Sequence, residues 1–544
     1  MPSSHTGSSA DFLRRSRVKT DLGVGEMKHL MSEAVRRRYQ KGEGDEELSP
    51  LVRADAQGKP IYRIQPGEVV IFYDLRGERE VELSRALTEP DFPYFPTAGP
   101  VQLYTMIEYH PSLNARVAFP PEERLKNTLC EVLSSAGISI LKISESEKAI
   151  HLGYFLNGKR VEPFPGEERV VIPSPQVDDY SKVPELSAQQ VAEKSLELIS
   201  NPAYKFIVIN FANVDVVGHL ENESAILKAV EVVDQQMARV VEKALSLGIT
   251  CLITADHGTV EKWLYPDGAI DTGHTSSPVP LILADARLKG KKLSLPEGEL
   301  IDLAPTILSL FNLPLPREMS GKNLLKDFPL RSERVLLLIL DGWGWREEEY
   351  GNLILKANTS NFDRLWQDFP HTILKASGLS VGMPEGTVGN SEAGHLHIGA
   401  GRKIYSDRLR IDLAIEKGDF FKNPVFLEAI QLSREKKLPL HLLGIVSFYS
   451  SHGSLEHLFA LLDLSRKEEL EQVYLHCLLG RRGERPESGA YYIAQLEDYC
   501  SRLGLGRVAT VMGRFWALDR EERWERVERA YRALVFGEGI LVKP

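Results

Sequence analysis

The chain has 544 residues, too many for one ordinary hydrophobic core, so its length predicts two domains. Hydrophobic residues make up 43% of it and charged residues 26%, the composition of a soluble globular protein. The net charge of -10, with both signs interspersed, argues against a general nucleic-acid binder. No apolar run approaches the roughly 20 residues that a membrane span needs.

Four widely spaced cysteines are typical of reduced, buried thiols in a cytoplasmic protein rather than of a disulfide framework. Residues 1–25 are rich in serine and arginine and lack the apolar segment of a secretory signal, so we expect a disordered tail there. Residues 26–40 then have the pattern of an amphipathic helix.

A buried strand is predicted at 69–73, and a second strand follows at 103–108. Between them, Arg76 and Arg79 lie three residues apart, a spacing that on one helical turn would make them face the same way. A solvated, charged helix start is the alternative interpretation. Residues 118–123 include two consecutive prolines, which stop both helices and strand ladders, so a linker is expected there.

Beyond this linker the pattern alternates between strands and helices, which predicts an α/β fold with a mostly parallel sheet covered by helices. Lys148 falls in a loop at 144–148, where a surface lysine is the default expectation. Two glycines in residues 399–403 predict a second crossing between domains. The predicted strands are 138–143, 206–210, 250–254, 280–283, 335–340, 440–444, 472–478 and 507–512, and the helices are 124–136, 223–246, 301–311, 455–466 and 489–502.

Acidic and imidazole side chains follow several of these strands, where ligands gather in open α/β sheets. Hard carboxylates with neutral imidazoles suit Mn²⁺, Zn²⁺ or related ions. A lone histidine in such a loop is usually structural, but the whole set favours a metal site and is large enough for two ions. Ser391, between small residues, would become a nucleophile beside a metal. The set is Asp215, His219, Asp256, His257, His274, Asp341 and Ser391.

Arginine side chains also follow predicted strands at both ends of the chain. Arg76 and Arg79 come early, and Arg514 and Arg520 come late. The guanidinium group is a planar fork of donors suited to phosphate and carboxylate. Taken separately each would be a surface arginine, but a fold that unites them would form one anion pocket.

At these residues the sequence resembles the cofactor-independent (2,3-bisphosphoglycerate-independent) phosphoglycerate mutases of the alkaline phosphatase superfamily. The resemblance covers nearly the whole chain after about residue 25, but in a changed order. The stretch at 336–344 and the Gly-Asn-Ser-Glu motif, with which the family begins, follow what resembles its C-terminal half. The chain is therefore interpreted as a circular permutant in which residues 325–334 join the family's old ends.

The permuted order implies an alkaline-phosphatase-like parallel-sheet domain that binds metal and occupies one segment, 122–403. A smaller α/β transferase-like domain is then split between 26–118 and 408–544. The resemblance further implies a cytoplasmic monomer that acts on phosphoglycerate in glycolysis and gluconeogenesis, without nucleic-acid or membrane partners.

Carried over by motif, Ser391 matches the phosphorylated nucleophile. The resemblance implies two divalent ions, Mn²⁺ above others, one held by Asp215, His219 and His274 and the other by Asp341, Ser391, Asp256 and His257. The residues implied to bind substrate are Arg76, Arg79, Lys148, His452, Arg482 (or Arg481 if the register slips by one), Arg514 and Arg520.

The implied mechanism transfers the phosphoryl group of 3-phosphoglycerate to Ser391, reorients the glycerate in a closed, water-poor cleft between two domains, and returns the group to the 2-hydroxyl. Two stretches depart from the family pattern. Residues 447–454 lack its aspartate and second histidine. Residues 480–483 lack the carboxylate implied to handle the hydroxyl proton, for which Glu484 is a candidate replacement.

Three hypotheses therefore stand at the level of sequence. The first is a phosphoglycerate mutase. The second is a metal-dependent phosphatase or phosphotransferase that acts on another small phosphorylated molecule. The third is a non-catalytic binding protein, which the complete ligand set opposes.

Overall fold

The computed structural model describes residues 29–121, 124–291, 293–447, 452–480 and 487–544. The chain divides into two compact units: residues 1–121 and 411–544 form the first unit, and residues 122–410 form the second. Each unit is built on a mostly parallel sheet, which confirms the predicted α/β fold. The tail predicted at 1–25 lies outside the described residues.

The ten predicted strands lie close to their predicted positions, and those predicted from residues 69, 206, 250, 335, 440 and 507 begin at the predicted residue, whereas six further strands of the described residues were not predicted. In chain order the strands are β1 Leu51–Arg53, β2 Val69–Phe72, β3 Gln102–Ile107, β4 Ala115–Phe119, β5 Ile140–Glu145, β6 Glu167–Ile172, β7 Phe206–Phe211, β8 Thr250–Thr254, β9 Val279–Ala284, β10 Gly298–Glu299, β11 Val335–Leu340, β12 His371–Lys375, β13 Leu440–Ile445, β14 Val473–Leu479, β15 Arg507–Gly513 and β16 Ile540–Val542.

The α-helices cover both sheets with apolar faces. In chain order they are α1 Leu30–Tyr39, α2 Gly77–Thr88, α3 Leu129–Ser135, α4 Ala188–Leu198, α5 Asn213–Gly218, α6 Glu223–Ser246, α7 Leu303–Leu310, α8 Leu353–Lys356, α9 Ser360–Asp368, α10 Ser391–Ala400, α11 Asp407–Lys417, α12 Pro424–Lys436, α13 Leu455–Lys467, α14 Gly489–Leu503, α15 Arg514–Ala517 and α16 Trp524–Tyr531.

The sheet of the first unit has the strand order β16-β1-β15-β14-β13-β2-β3-β4, and only the β1–β15 pairing is antiparallel among these neighbours. Its central strands β13 and β14 are buried along their whole length. Near-continuous apolar runs of this kind are expected where helices cover both faces of a parallel sheet.

The sheet of the second unit has the order β10-β12-β9-β8-β11-β7-β5-β6. The strands from β8 to β6 run parallel, and β9 pairs antiparallel with both β8 and β12. Strand β11 lies between β8 and β7, and all six of its residues are buried. The carboxyl ends of β8, β11, β7 and β5 therefore meet at one edge of the sheet.

The prediction of a linker at 118–123 was wrong for its first two residues. Strand β4 continues to Phe119, which pairs with Ile107 of β3. The Phe119 ring stacks on Phe420 at 6.1 Å between centroids, so burial of an aromatic side chain keeps the chain extended up to the prolines.

The glycine-rich crossing predicted at 399–403 was also wrong in part. Gly399 is helical, within α10, and a Cβ atom at this position would lie 2.0 Å from the Leu156 carbonyl oxygen. It therefore allows close packing rather than loosening the backbone. Gly401 ends the helix with φ of 60°, and the division between the units falls at Arg410, inside α11.

Other helix boundaries shifted by a few residues. The helix predicted at 124–136 is α3, which begins only after Thr128, and that predicted at 301–311 is a 3-10 turn followed by α7. Within the described part of the chain, no helix is both long and apolar enough to cross a membrane. All four cysteines are buried and unpaired, as expected for reduced thiols.

Candidate metal centre

The carboxyl ends of neighbouring strands bring the predicted ligands of the second unit together. Asp256 follows β8, Asp341 follows β11, and Asp215 lies in α5 directly after β7. Lys148 ends a 3-10 turn that follows β5. Because these strands are parallel neighbours, the four side chains lie at one edge of the sheet.

Ser391 is the first residue of helix α10, and its hydroxyl group lies among charged side chains. Lys148 Nζ donates a hydrogen bond of 2.8 Å to Ser391 Oγ, and Ser391 Oγ donates one of 3.1 Å to Asp341 Oδ1. His257 Nε2 lies 3.0 Å from the same oxygen. The hydroxyl group is therefore within hydrogen-bond reach of a cation, a carboxylate and an imidazole.

Lys148 was expected at the surface from its loop position, and this expectation was wrong. The residue is 3% exposed, and its ammonium group lies 2.6 Å from Asp215 Oδ2 and 2.6 Å from Asp341 Oδ1. Burial lowers its pKa, but these two carboxylates outweigh burial and hold the pKa above its usual value. Lys148 is therefore a charged residue at the centre of the site.

Two histidines point their ring nitrogens at each other and at a carboxylate. His219 Nε2 and His274 Nε2 are 3.1 Å apart, and they lie 3.3 and 3.0 Å from Asp215 Oδ1. Their other ring nitrogens face backbone carbonyl oxygens, of Thr272 at 2.8 Å and of Gly389 at 3.0 Å. A carbonyl oxygen only accepts, so each Nδ1 carries a proton, and the neutral form of either ring would present its lone pair at Nε2.

The arrangement of donor atoms around Asp215 shows whether these residues fit a metal ion. Two imidazole Nε2 atoms and a carboxylate oxygen converge, and with both rings neutral this arrangement is repulsive unless a cation lies between them. A histidine that donates its other N–H to a carbonyl is also the usual form of a metal ligand. The donor set around Asp215 therefore fits a divalent ion.

A second donor group surrounds Asp341. Ligand atoms of Asp256, Asp341 and His395 lie within 4.8 Å of one another, and all three side chains are buried. Asp256 Oδ2 accepts no well-aligned hydrogen bond in the described part of the chain, and its nearest ring nitrogens are His395 Nδ1 at 3.3 Å and His257 Nε2 at 3.5 Å. A buried carboxylate oxygen without a well-aligned donor is costly, so this atom also fits a cation.

The ionisable groups of the site shift one another's pKa values. Burial opposes ionisation of each aspartate, but Lys148 lowers the pKa of Asp215 and His257 lowers that of Asp256, and both pKa values lie below the usual range. Burial and the Asp256 charge raise the pKa of Asp341. Burial lowers the pKa of His257, but Asp256, Asp215 and Asp341 outweigh burial and raise it, so three carboxyl groups share the ammonium group and this imidazole.

Sequence reasoning missed two supporting residues, His395 and Asn210. His395 lies one turn after Ser391 on α10, and its Nδ1 is 2.9 Å from the Ser391 carbonyl oxygen and 3.3 Å from Asp256 Oδ2. Asn210 Nδ2 donates to Asp341 Oδ2 at 2.8 Å and lies 3.2 Å from His395 Nε2. The i,i+4 spacing from Ser391 was the available signal for His395, whereas nothing local marked Asn210.

Glu261 was missed as well. It is completely buried, accepts a hydrogen bond of 2.9 Å from the Thr259 backbone N–H, and also accepts one from the Thr275 hydroxyl group. Thr275 follows His274 and Thr259 lies two residues after His257. Glu261 therefore joins the two loops that carry these histidines.

The predicted anion-binding residues of the first unit lie near one another. Arg76 and Arg520 both approach Glu78, at 3.5 and 3.0 Å. Arg79 donates to the Leu518 carbonyl oxygen at 3.1 Å. The expectation that Arg76 and Arg79 share a helix face was wrong, because Arg76 precedes α2 in an extended conformation (φ -136°, ψ 107°).

His452 lies beside these arginines. Burial lowers its pKa, Asp74 opposes this shift, and the charges of Arg514, Arg76 and Arg79 add to it. The first unit thus gathers a histidine and several guanidinium groups from both ends of the chain. Arg482, its alternative Arg481, Glu484 and the altered residues 448–451 lie outside the described residues.

Comparisons with known protein families give two matches. The model described as "Metalloenzyme superfamily" matches residues 6–315, more than half of the chain. The model described as "BPG-independent PGAM N-terminus (iPGM_N)" matches residues 411–543.

Individual proteins are similar over about half of the chain. A "2,3-bisphosphoglycerate-independent phosphoglycerate mutase" of Moorella thermoacetica is 41% identical over 306 residues, which are 56% of this chain and 58% of the relative. The chain thus spans less than two thirds of that relative's length. A solved structure of Leishmania mexicana phosphoglycerate mutase at low cobalt concentration is 26% identical, with a TM-score of 0.35. The match covers 50% of this chain and 53% of the chain in that structure.

Proposed function

Because this chain belongs to the metalloenzyme superfamily, we propose that it interconverts 3-phosphoglycerate and 2-phosphoglycerate through a phosphoserine at Ser391. The observation that carries the proposal is the position of the Ser391 hydroxyl group, 2.8 Å from an ammonium group and 3.1 Å from a carboxylate. The named mutase of Moorella thermoacetica and the match to a BPG-independent PGAM model support the choice of substrate.

The proposal includes two divalent ions, with Mn²⁺ as the first choice. Asp215, His219 and His274 would hold one ion, and Asp341, Asp256, His257 and Ser391 would hold the other. When bound, such ions favour the alkoxide form of a serine and neutralise the oxygens of a transferring phosphoryl group. The mixed carboxylate and imidazole donors support this class of ion.

The chain's own residues prepare Ser391 for in-line attack on phosphorus. The hydroxyl proton is directed at Asp341 Oδ1, and Lys148 holds the oxygen in place with a charge-assisted bond. Because Ser391 begins α10, the free N–H groups and the dipole of this helix favour a phosphoryl group attached to it. The serine oxygen forms the new bond as the glycerate oxygen leaves, and the reverse step places the group on the neighbouring hydroxyl.

Substrate recognition is assigned to the first unit. Arg76, Arg79, Arg514 and Arg520 would bind the carboxylate and phosphate oxygens of the substrate, and His452 and Arg482 would complete this set. Arginine suits this task because its planar guanidinium group donates two parallel hydrogen bonds to either anion.

The proposal also retains the circular permutation. A model described as an N-terminus matches residues 411–543, near the C-terminal end of this chain, which supports a rearranged order. In this arrangement a metal-binding domain spans 122–403, and the second domain is split between 26–118 and 408–544. We further propose that the enzyme is a cytoplasmic monomer, a location in keeping with its buried, unpaired cysteines.

A second candidate function is a phosphatase or phosphotransferase that acts on another small phosphorylated molecule. The sequence at 480–483 favours it, because no carboxylate follows the arginines there. Loss of that carboxylate would remove the group expected to handle the glycerate hydroxyl proton. Water would then take the phosphoryl group from Ser391.

Phosphorus NMR of the Mn²⁺-loaded protein with 3-phosphoglycerate distinguishes these functions. The mutase converts the substrate resonance into that of 2-phosphoglycerate, and the Ser391→Ala variant does not. Release of inorganic phosphate alone would instead support the second candidate. An unchanged spectrum with the wild-type protein would contradict the mutase.

A further inference from the structure

The first unit contains a buried group of metal-binding side chains that the proposed function does not use as ligands. Asp74 follows β2, Glu80 lies in the first turns of α2, and His452 precedes α13. One potential ligand atom from each side chain lies within 4.8 Å of the others. Asp74 and Glu80 are 0% exposed and His452 is 5% exposed.

The backbone orients both carboxylates so that one oxygen of each stays available. The Ile445 N–H donates to Asp74 Oδ1 at 2.7 Å, and the Arg79 N–H donates to Glu80 Oε2 at 3.1 Å. Glu80 Oε1 is directed at His452, with 3.1 Å to Nδ1. Metal sites use this kind of support, in which outer hydrogen bonds fix the orientation of each ligand.

Asp74 provides the independent indication of a missing ligand. Its Oδ2 atom is buried and accepts no hydrogen bond from an N–H or hydroxyl group in the part of the chain that the structure describes. The Asp74 side chain lies within hydrogen-bond reach of the Glu80 carboxyl group, so the two acids need a proton or a cation between them. Leaving a carboxylate oxygen without a donor or a cation in such a place costs several kcal/mol. The atom belongs to the carboxylate that takes part in the group, so an ion there would satisfy it.

We propose that Asp74, Glu80 and His452 bind a divalent transition-metal ion of the Mn²⁺, Co²⁺ or Zn²⁺ type. Two carboxylates balance the charge of such an ion, and one imidazole with two carboxylate oxygens is a donor set that these ions accept. Three protein ligands leave a coordination position for water or for an oxygen of a bound molecule. This ion would be additional to those proposed at Ser391.

The positive charges of the neighbouring arginines do not prevent an ion from binding to Asp74, Glu80 and His452. Arg514 is paired with Glu46 at 2.8 Å, and Arg76 and Arg520 are paired with Glu78. Glu46 and Glu78, which lie outside the group, therefore offset part of this charge, and Arg79 donates to the Leu518 carbonyl oxygen at 3.1 Å. Asp74 and Glu80 would contact the ion directly. Because Coulomb energy falls with distance, the contacting carboxylates dominate.

The number of Co²⁺ ions bound per chain tests the proposal. Co²⁺ is chosen because the visible spectrum of the bound ion also reports nitrogen and oxygen ligands. The full-length wild-type protein, loaded with Co²⁺ and freed of excess ion, is expected to hold one ion more per chain than Glu80→Gln or Asp74→Asn. The control is Glu82→Gln, which removes another buried carboxylate of α2 that lies outside the group. It is expected to keep the wild-type count.

Equal counts in the wild type, Glu80→Gln and Glu82→Gln would overturn the proposal and indicate that Asp74 and Glu80 share a proton instead. If the carboxylate variants do not fold, the His452→Gln variant and nitrogen NMR of the wild-type imidazoles replace them. Added Zn²⁺ should shift the ring resonances that His452→Gln removes, and unchanged resonances would contradict binding. Neither readout depends on phosphoglycerate turnover, so failure here is distinct from failure of the proposed function.

Discussion

Lys148 donates a hydrogen bond of 2.8 Å to Ser391, 243 positions further along the chain. The same ammonium group bonds Asp215 and Asp341 at 2.6 Å each. It therefore neutralises part of the carboxylate charge around the hydroxyl group and holds the oxygen in place. Removing this ammonium group should destabilise the folded protein most when no metal ion is bound.

The Lys148→Met variant is expected to be less stable without metal. Breaking a buried ion pair by removing one partner costs about 3–5 kcal/mol, because the carboxylates stay buried without their cation. Added Mn²⁺ should restore part of this loss, since it supplies positive charge to the same carboxylates. Urea unfolding with and without Mn²⁺ measures both effects.

Lys142 provides a matched control for this variant. It is a buried lysine of the same unit, paired with Glu167 at 3.2 Å and bonded to the Leu152 carbonyl oxygen at 3.0 Å. The Lys142→Met variant should lose stability equally with and without Mn²⁺. If Mn²⁺ rescued both variants to the same degree, the link between Lys148 and a metal site would be disproved.

Replacement of the nucleophile is the most direct test of the chemistry. The Ser391→Ala variant should lose all measurable turnover, because no other hydroxyl group replaces its oxygen. The Ser380→Ala control removes a buried hydroxyl group of the same unit, bonded only to the Ser377 carbonyl oxygen at 2.6 Å in the described structure, and should retain activity. Turnover of 3-phosphoglycerate by Ser391→Ala, followed by phosphorus NMR, would contradict a phosphoserine.

Removal of metal should abolish activity and lower stability together. An ion that binds only the folded chain stabilises it by about 2.7 kcal/mol when its concentration is 100 times its Kd. EDTA should therefore lower the melting temperature as it stops turnover, and Mn²⁺ should restore both. A melting curve that EDTA leaves unchanged would argue against occupied sites at Asp215 and Asp341.

The sequence predicted five of the eight strands described in the second unit and missed β6, β10 and β12. The strand at 335–340 and the helix at 223–246 have their predicted bounds. The ends of an unbroken apolar run and of a long amphipathic pattern can be read directly from the sequence. Since parallel strands end at one edge of a sheet, the meeting of Asp215, Asp256 and Asp341 followed from the same pattern.

Features that depend on distant residues could not be predicted from local sequence patterns, and only the family resemblance pointed to a role for Lys148 in the site. Lys148 is buried because carboxylates 67 and 193 residues away surround its ammonium group, and nothing in its own loop shows this. Phe119 belongs to a strand because distant aromatic rings cover it. The roles of Asn210 and Glu261 likewise arise only when loops far apart in sequence pack together.

Arg520→Ala should mainly weaken the capture of substrate. Arg520 lies at the surface of the first unit, 3.0 Å from Glu78, with its guanidinium group half exposed. A hydrogen bond to a charged group contributes about 1.5–3 kcal/mol, so KM should rise roughly tenfold or more while kcat changes little. The exposed Arg523→Ala is the control, and an unchanged KM for Arg520→Ala would remove this residue from the pocket.

The last prediction concerns pH and the carboxyl group of Glu145, which ends β5 three residues before Lys148. The side chain is 1% exposed, and burial raises its pKa from 4.5 to about 7 although the Ser187 N–H donates to Oε1 at 3.0 Å. Folding therefore favours the protonated form. This contribution to stability is complete below pH 4.5 and is lost as pH rises through 7.

The Glu145→Gln variant keeps a neutral side chain of the same shape and avoids this loss. Its free energy of unfolding, compared with that of the wild type, should increase by about 3 kcal/mol between pH 4.5 and 8, because each pKa unit corresponds to about 1.4 kcal/mol. Urea unfolding across this range measures the difference, and Glu193→Gln, an exposed glutamate of α4, controls for the general effect of removing a charge. Parallel stability curves for the wild type and Glu145→Gln would show that Glu145 is ionised in the folded protein at neutral pH without cost.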